Sequence, residues 1–252
     1  MSIKKIALAV TIFAVAIHAD PKGDAVAKRY FDLKTAKDSR STATMIVISK
    51  KGSKRVRKLT MTSKDTKEGT YAYTEFLEPA DVKGTKFLVT PTASGDDEQR
   101  LYLPALKKVR RISSSAKTGK FVGSDFTYYD MEDRDFGDAT YKFIKEGTVN
   151  GAPCDIIEMV SKDQTTPYSK AVGYFKKSDG FAYKMELYNR KTKKLEKTMV
   201  VVESKVIDGV IVPTKIVMDN HKGGTKTVLA VTNIKLNTGV DSSIFSIKNL
   251  EK

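Results

Sequence analysis

The sequence predicts a mainly β protein built as one large antiparallel sheet, sandwich or barrel. Three observations predict it. Apolar and polar residues alternate with period two in a dozen short stretches, and those stretches are punctuated by Gly, Asn, Asp and Pro. Stretches with helical apolar spacing are scarce.

The chain of 252 residues opens with a short basic start, Met1 to Lys5, and an uncharged, mostly apolar run from Ile6 to Ile17. Small residues at Ala14-Val15-Ala16 and Ala19 follow, the layout of a cleavable secretory signal peptide. A membrane span needs about 20 apolar residues, so this run is expected to be a leader over residues 1–19 and the mature protein soluble and exported. Residues 20–252 are then expected to form a single domain, since no repeat and no low-complexity linker divides them.

Asp20 to Lys37 is the first predicted element, a helix with Val26, Tyr30, Phe31 and Leu33 on its apolar face. Strands are predicted at 43–49, 55–63, 70–77, 84–90 and 99–103. In the second of these, Val56, Lys58 and Thr60 alternate with Arg57, Leu59 and Met61. The third carries Tyr71 and Tyr73 on one face and Phe76 on the other. A basic segment running from Lys107 to Lys120 reads as a mobile loop. Ser124 to Arg134 reads as a second helix, with Ser124 as its N-cap and Asp125 near the positive end of its dipole. Further strands follow at 140–145, 154–160, 170–175, 182–188, 194–206, 210–218 and 226–236, and a terminal turn at 242–245. Asn150-Gly151, Ser178-Asp179-Gly180 and Asp208-Gly209 are hairpin punctuation.

Composition restricts the chemistry. Lys and Arg number 45 against 30 Asp and Glu, a formal charge of +15, which favours anionic surfaces or an acidic partner. The cations are spread over many strands and gather on no helix or motif, so nucleic acid is not an expected partner. Cys154 is the one cysteine; beside Ile156 and Ile157 it is expected to be buried and inert. Of two histidines, His18 falls in or beside the leader and His221 sits in a polar turn, which leaves neither a triad nor a zinc ligand set. The acidic groups Asp96-Asp97-Glu98 and Asp130, Glu132, Asp133 and Asp135 match no calcium-loop spacing. Trp is absent, which weakens a sugar-binding reading. No catalytic residue, metal or cofactor is expected, and the protein reads as a non-enzyme.

The stretch from Leu101 to Met131 is the most informative. An aliphatic-aromatic strand leads through Pro104 into Lys107-Lys108-Val109-Arg110-Arg111, and an aromatic-acidic block starts at Gly123. Gln99 to Ile112, followed by Phe121-Val122-Gly123-Ser124-Asp125-Phe126-Thr127-Tyr128-Tyr129-Asp130-Met131, resembles the signature of the outer membrane lipoprotein-sorting family, the LolA/LolB-like periplasmic carriers. Phe76 to Thr85, with Pro79, Asp81, Lys83 and Gly84, is similar to another segment of that family.

The resemblance implies a curved antiparallel sheet forming a half β-barrel closed by lid helices, with an interior that binds acyl chains of lipoproteins or lipids in the periplasm. On that basis Met45, Val47, Leu59, Met61, Phe76, Phe87, Val89, Leu101 and Leu103 are the cavity candidates. Phe126, Tyr128, Tyr129 and Met131 are the lid candidates. Lys107, Lys108, Arg110, Arg111, Lys117 and Lys120 are the candidate contacts to headgroups or a partner. An inner-membrane transporter of the RND/MMPL type or an outer-membrane acceptor is the partner the family implies. The absence of a cysteine near the leader fits a soluble carrier better than an anchored acceptor. The same fold also implies an alternative, a periplasmic lipid or stress sensor that binds a membrane protein.

Overall fold

The computed structural model describes residues 20–92 and 97–251. The leader read at residues 1–19 and Asp96 lie outside the described residues. Thirteen strands form one antiparallel sheet: β1 (Asp38–Ile48), β2 (Lys54–Thr66), β3 (Gly69–Glu78), β4 (Lys86–Thr90), β5 (Glu98–Leu103) and β6 (Lys108–Ile112), then β7 (Ala139–Val149), β8 (Ala152–Ser161), β9 (Tyr168–Lys176), β10 (Ala182–Asn189), β11 (Leu195–Ile207), β12 (Val210–Asn220) and β13 (Thr225–Leu236). Two helices flank it, α1 (Pro21–Phe31) and the short α2 (Ile247–Leu250).

Their spatial order is β6-β5-β4-β3-β2-β1-β13-β12-β11-β10-β9-β8-β7. Two meanders, β1–β6 and β7–β13, are joined through the β1–β13 pair. Strands β6 and β7 follow one another in sequence yet lie at opposite edges of the sheet. Residues 113–138 must therefore cross one face of the whole sheet. A flat sheet of this order would be roughly 58 Å wide at the usual strand spacing, and residues 113–138 would reach roughly 85 Å only at full extension. The crossing segment is instead folded into four 3-10 turns, at Ser114–Thr118, Phe121–Gly123, Tyr129–Met131 and Phe136–Asp138. The sheet accommodates it by curling.

That curl shows in the core. One apolar cluster gathers Met45, Leu59, Phe76, Phe87 and Leu101 from one meander with Tyr168, Leu187 and Met218 from the other. Side chains from opposite ends of a sheet share a cluster only when the sheet wraps around it, so this face is concave. α1 covers the concave face over β7–β9, packing Val26 and Ala27 on Tyr141, Ile157 and Phe175. Asp20 caps the helix through the amides of Lys22 and Gly23, and its other carboxylate oxygen accepts the Phe143 amide of β7 at 2.8 Å. On the opposite face, Val240, Phe245 and Leu250 of the C-terminal segment cover Tyr73, Leu88 and Tyr102.

Every strand predicted from the sequence is present, and several are longer than predicted. The helix at the start ends at Phe31 rather than Lys37. Two readings are corrected. The basic segment is not a mobile loop throughout: Lys108–Ile112 is β6, paired with β5 in register from Gln99↔Ile112 to Leu103↔Lys108. An edge strand with one side in water tolerates Lys and Arg at such density. The helix expected over Ser124–Arg134 is absent. Only Tyr129–Met131 forms a turn there, and Lys120 pairs with Thr127 as an isolated bridge. Thr127 and Asp130 satisfy one another's amides through their side chains, a local alternative that competes with helix.

Candidate functional site

The concave face and the strap that crosses it, residues 113–138, form the candidate site. All nine cavity candidates lie in the one cluster beneath the strap: Met45, Val47, Leu59, Phe76, Phe87, Val89 and Leu101 are buried, Met61 and Leu103 partly so. The lid candidates lie on the strap itself, with Phe126 buried and Tyr128, Tyr129 and Met131 partly buried against the same cluster. Phe121 belongs with them. Its ring sits 5.0 Å from that of Phe87, 5.7 Å from Tyr128 and 6.0 Å from Phe76. The strap thus fills the concave face with its own aromatic rings.

Methionine is concentrated here. Met45, Met61, Met131, Met159, Met185, Met199 and Met218 are all the methionines of the described residues, and each faces the cluster under the strap or the one under α1. Met185, Met199 and Met218 stand directly opposite one another across β10, β11 and β12. Met185 belongs to both clusters, so this ladder runs along the seam between the two covers. Unbranched, polarizable side chains repack around variable shapes at low cost.

Polar groups from six strands fasten residues 122–130 of the strap. Asp125 is the main bolt, 1% exposed. Its carboxylate accepts Asn220 Nδ2 at 3.1 Å, Thr225 Oγ1 at 2.5 Å and Thr227 Oγ1 at 2.8 Å, and its amide donates to Thr227 Oγ1 at 2.9 Å. Lys197, also buried, donates to the Asp125 carbonyl at 2.8 Å and to Tyr168 Oη at 3.3 Å. Tyr168 donates in turn to Asp130 at 3.2 Å. Burial pulls the Lys197 ammonium below its ordinary range and pushes the Tyr168 phenol up, the latter reinforced by Asp130. Gln99 of β5 donates to the Tyr128 carbonyl at 2.9 Å, and Arg57 of β2 donates to the Val122 carbonyl.

These fasteners are the functional residues that sequence reasoning missed. The sequence places Asp125 near the positive end of a helix dipole, whereas its ligands come from strands about a hundred positions away in the chain. Arg57 did leave a signal: it shares the apolar parity of Leu59 and Met61 in an alternating strand.

The basic candidates divide. Lys107, Lys108, Arg110, Arg111 and Lys120 are exposed along the β6 edge and the start of the strap. Lys117 is not available: it is ion-paired with Glu132 and donates to the Asp97 carbonyl at 3.0 Å. The strap's exit is held nearby, where Asp97 accepts the Asp133 amide at 3.2 Å. Burial raises the Asp97 carboxyl to about 6, reinforced by Glu132 and Asp133. A cavity of about 180 Å³ lies between the strap and the β8–β9 loop, lined by Ser114, Lys117, Tyr129, Glu132 and Thr166 among others. It is polar and smaller than the roughly 300 Å³ at which ligand pockets begin. An acyl chain would have to displace strap side chains from the concave face instead.

Among the described residues no group of His, Cys, Asp and Glu is placed to hold a metal ion, and no helix is long and apolar enough to cross a membrane. His221 is exposed in its turn, within 2.8 Å of Thr198 Oγ1, and Cys154 is buried, both as expected.

A protein-family model described as an uncharacterized protein matches residues 68–252. No curated protein matches the sequence. Among solved structures, a candidate outer membrane lipoprotein-sorting protein domain from Vibrio parahaemolyticus is 30% identical, with a TM-score of 0.86 over 92% of this chain and 99% of that one. A DUF1329 family protein from Desulfovibrio piger is 31% identical, with a TM-score of 0.86 over 92% of this chain and 100% of the other. A LolA superfamily protein from Nitrosomonas europaea shares the fold at 19% identity, with a TM-score of 0.71 over 90% of this chain and 98% of that one.

Proposed function

From the premise that the chain belongs to the outer membrane lipoprotein-sorting, LolA-like family, we propose that it is a periplasmic carrier that takes acyl chains of lipoproteins or lipids under the strap and passes them across the envelope. The observation that carries this reading is the placement of the methionines. All those of the described residues face the concave side, beneath two covers that share the Met185 seam.

The physics of carriage follows from burial. Each methylene removed from water contributes about 0.8 kcal/mol, so one fatty chain gains on the order of 10 kcal/mol before ordering costs. A site open to the chain at all times would release it too slowly. Here the aromatic rings of Phe121, Phe126 and Tyr128 occupy the concave face and compete with the ligand. The net cost of binding is the difference between two apolar packings, which keeps exchange reversible. The seam at Met185, Met199 and Met218 is the place where a chain can enter without unseating α1.

The cationic edge suits the ends of the journey. Lys107, Lys108, Arg110, Arg111 and Lys120 are exposed beside Leu103 at the rim of the concave face, where anionic headgroups, an inner-membrane transporter or an outer-membrane acceptor would meet them. Such charges steer encounter more than they tighten it. Catalysis forms no part of this reading.

Native mass spectrometry of the purified mature protein, followed by organic extraction, tests the proposal. The expected result is a co-purifying acyl-bearing molecule, or uptake of a fluorescent fatty acid. Reproducible absence of both would refute carriage.

A further inference from the structure

Arg57 is, with Lys197, one of two deeply buried cations on the concave face that form no ion pair among the described residues, and of the two it is the one held by a single neutral acceptor. It stands on β2 directly opposite Met45 and two residues from Leu59, and is 5% exposed. Its Nη1 donates to the Val122 carbonyl of the strap. Its Nη2 lies on the same underside, 3.7 Å from where a Cβ on Gly123 would be. No carboxylate among the described residues pairs with it: Asp81 acts only through space, and Arg55 opposes it with a like charge. Burial lowers its affinity for the proton, as expected of an uncompensated charge.

A buried charge without a counter-ion is costly and is rarely kept without a use. The contrast with Asp125 and Lys197 is direct, because the carboxylate of Asp125 is saturated with donors and Lys197 has two oxygen acceptors. The group that meets Arg57 is itself unusual. Val122 is β-branched yet sits in the left-handed region at φ 44°, ψ 40°, a strained conformation for such a residue. The strap therefore presents a neutral oxygen to the guanidinium from a strained residue.

We propose that Arg57 anchors the oxyanion head of a single-chain lipid, with the Val122 carbonyl holding its place while the strap is closed. The proposal rests on the carrier reading above and names the ligand class for it: one alkyl or acyl chain ending in a carboxylate or a phosphate. The guanidinium fork matches either oxyanion with two parallel hydrogen bonds, which one carbonyl cannot supply. Exchange of carbonyl for oxyanion compensates the charge and frees Val122 to leave the left-handed region. Head recognition and strap opening then become the same event.

The test compares palmitate, hexadecyl phosphate and neutral methyl palmitate by displacement of a fluorescent probe from the full mature protein, wild type and Arg57→Met. Wild type is expected to bind at least one charged ligand about tenfold more tightly than the ester. In Arg57→Met that ratio is expected to fall to about one, whatever common change in affinity for all three ligands the loss of a strap fastener brings. Whichever charged ligand is preferred identifies the head, carboxylate or phosphate. Equal binding of all three by wild type, or a preference that survives in Arg57→Met, overturns the anchor and leaves the carrier reading intact. Failure of all three to bind removes the carrier reading as well. Should Arg57→Met fail to fold, Arg57→Lys carries the test, since it keeps the charge without the fork. The preference must then drop below that of wild type, and an unchanged preference overturns the assignment.

Discussion

The two covers of the concave face are built differently. α1 is fitted to the sheet by contact: a Cβ added at Gly23 would fall 2.8 Å from the Phe143 backbone nitrogen, and Tyr30 and Phe31 pack edge-on against Phe175 and Tyr141. The strap is fastened at separate points. The bolts on residues 122–130 come from β2, β5, β9, β11, β12 and β13, and Ser124 Oγ and Gln99 Oε1 are buried without hydrogen-bond partners among the described residues. A cover held by close backbone packing stays; a cover held by discrete polar bolts around a deformable lining can lift. On the proposed reading, this difference makes α1 the fixed wall and the strap the moving one.

Three perturbations break or sharpen that contrast. The largest is expected from Asp125→Ala, which strands Asn220, Thr225 and Thr227 without their shared acceptor. Leaving several buried polar groups unpaired costs on the order of 3–5 kcal/mol. Amide exchange should rise across residues 119–131 while β7–β9 and α1 keep their protection; a uniform rise over the whole chain would mean that the strap is ordinary core. A smaller effect is expected at the other cover. Gly23→Ala forces the helix off the β7 backbone and should cost about 1–3 kcal/mol of global stability. Urea unfolding reads this directly, and the strap should stay protected in the folded state.

The smallest effect concerns pH. Asp97, which holds the strap's exit through the Asp133 amide, has its carboxyl raised from 3.8 to about 6 by burial. Between those values the folded protein binds more protons than the unfolded chain, so stability rises as pH falls from about 7 toward 4. The Tm of the wild type at pH 5 relative to pH 8 should therefore exceed that of Asp97→Asn, in which the group is neutral throughout. An identical pH dependence in the variant would remove Asp97 from the account.

The sheet was legible because period-two alternation is a local signal, and each strand declares its two faces within a few residues. β6 was missed because Lys108, Arg110 and Arg111 leave it only two apolar positions, a pattern that an edge strand can carry. The apolar lining was legible by parity, since the cavity candidates share a face in strand after strand. The bolts were not. Asp125 finds Asn220 and Thr227 only after the strap has crossed to the opposite meander, and nothing within ten residues of Asp125 announces those partners. The strap's course follows from β6 and β7 lying at opposite edges, a property of the strand order that no local pattern encodes.

Hydrogen exchange with and without a loaded acyl chain tests the central claim most directly. On saturation with a fatty acid, amides of residues 119–131 are expected to lose protection as the strap lifts, while those of α1 and β7–β9 stay unchanged. Unchanged exchange in the strap of the loaded protein, or equal loosening of strap and helix, would contradict the division of the two covers into one that moves and one that does not.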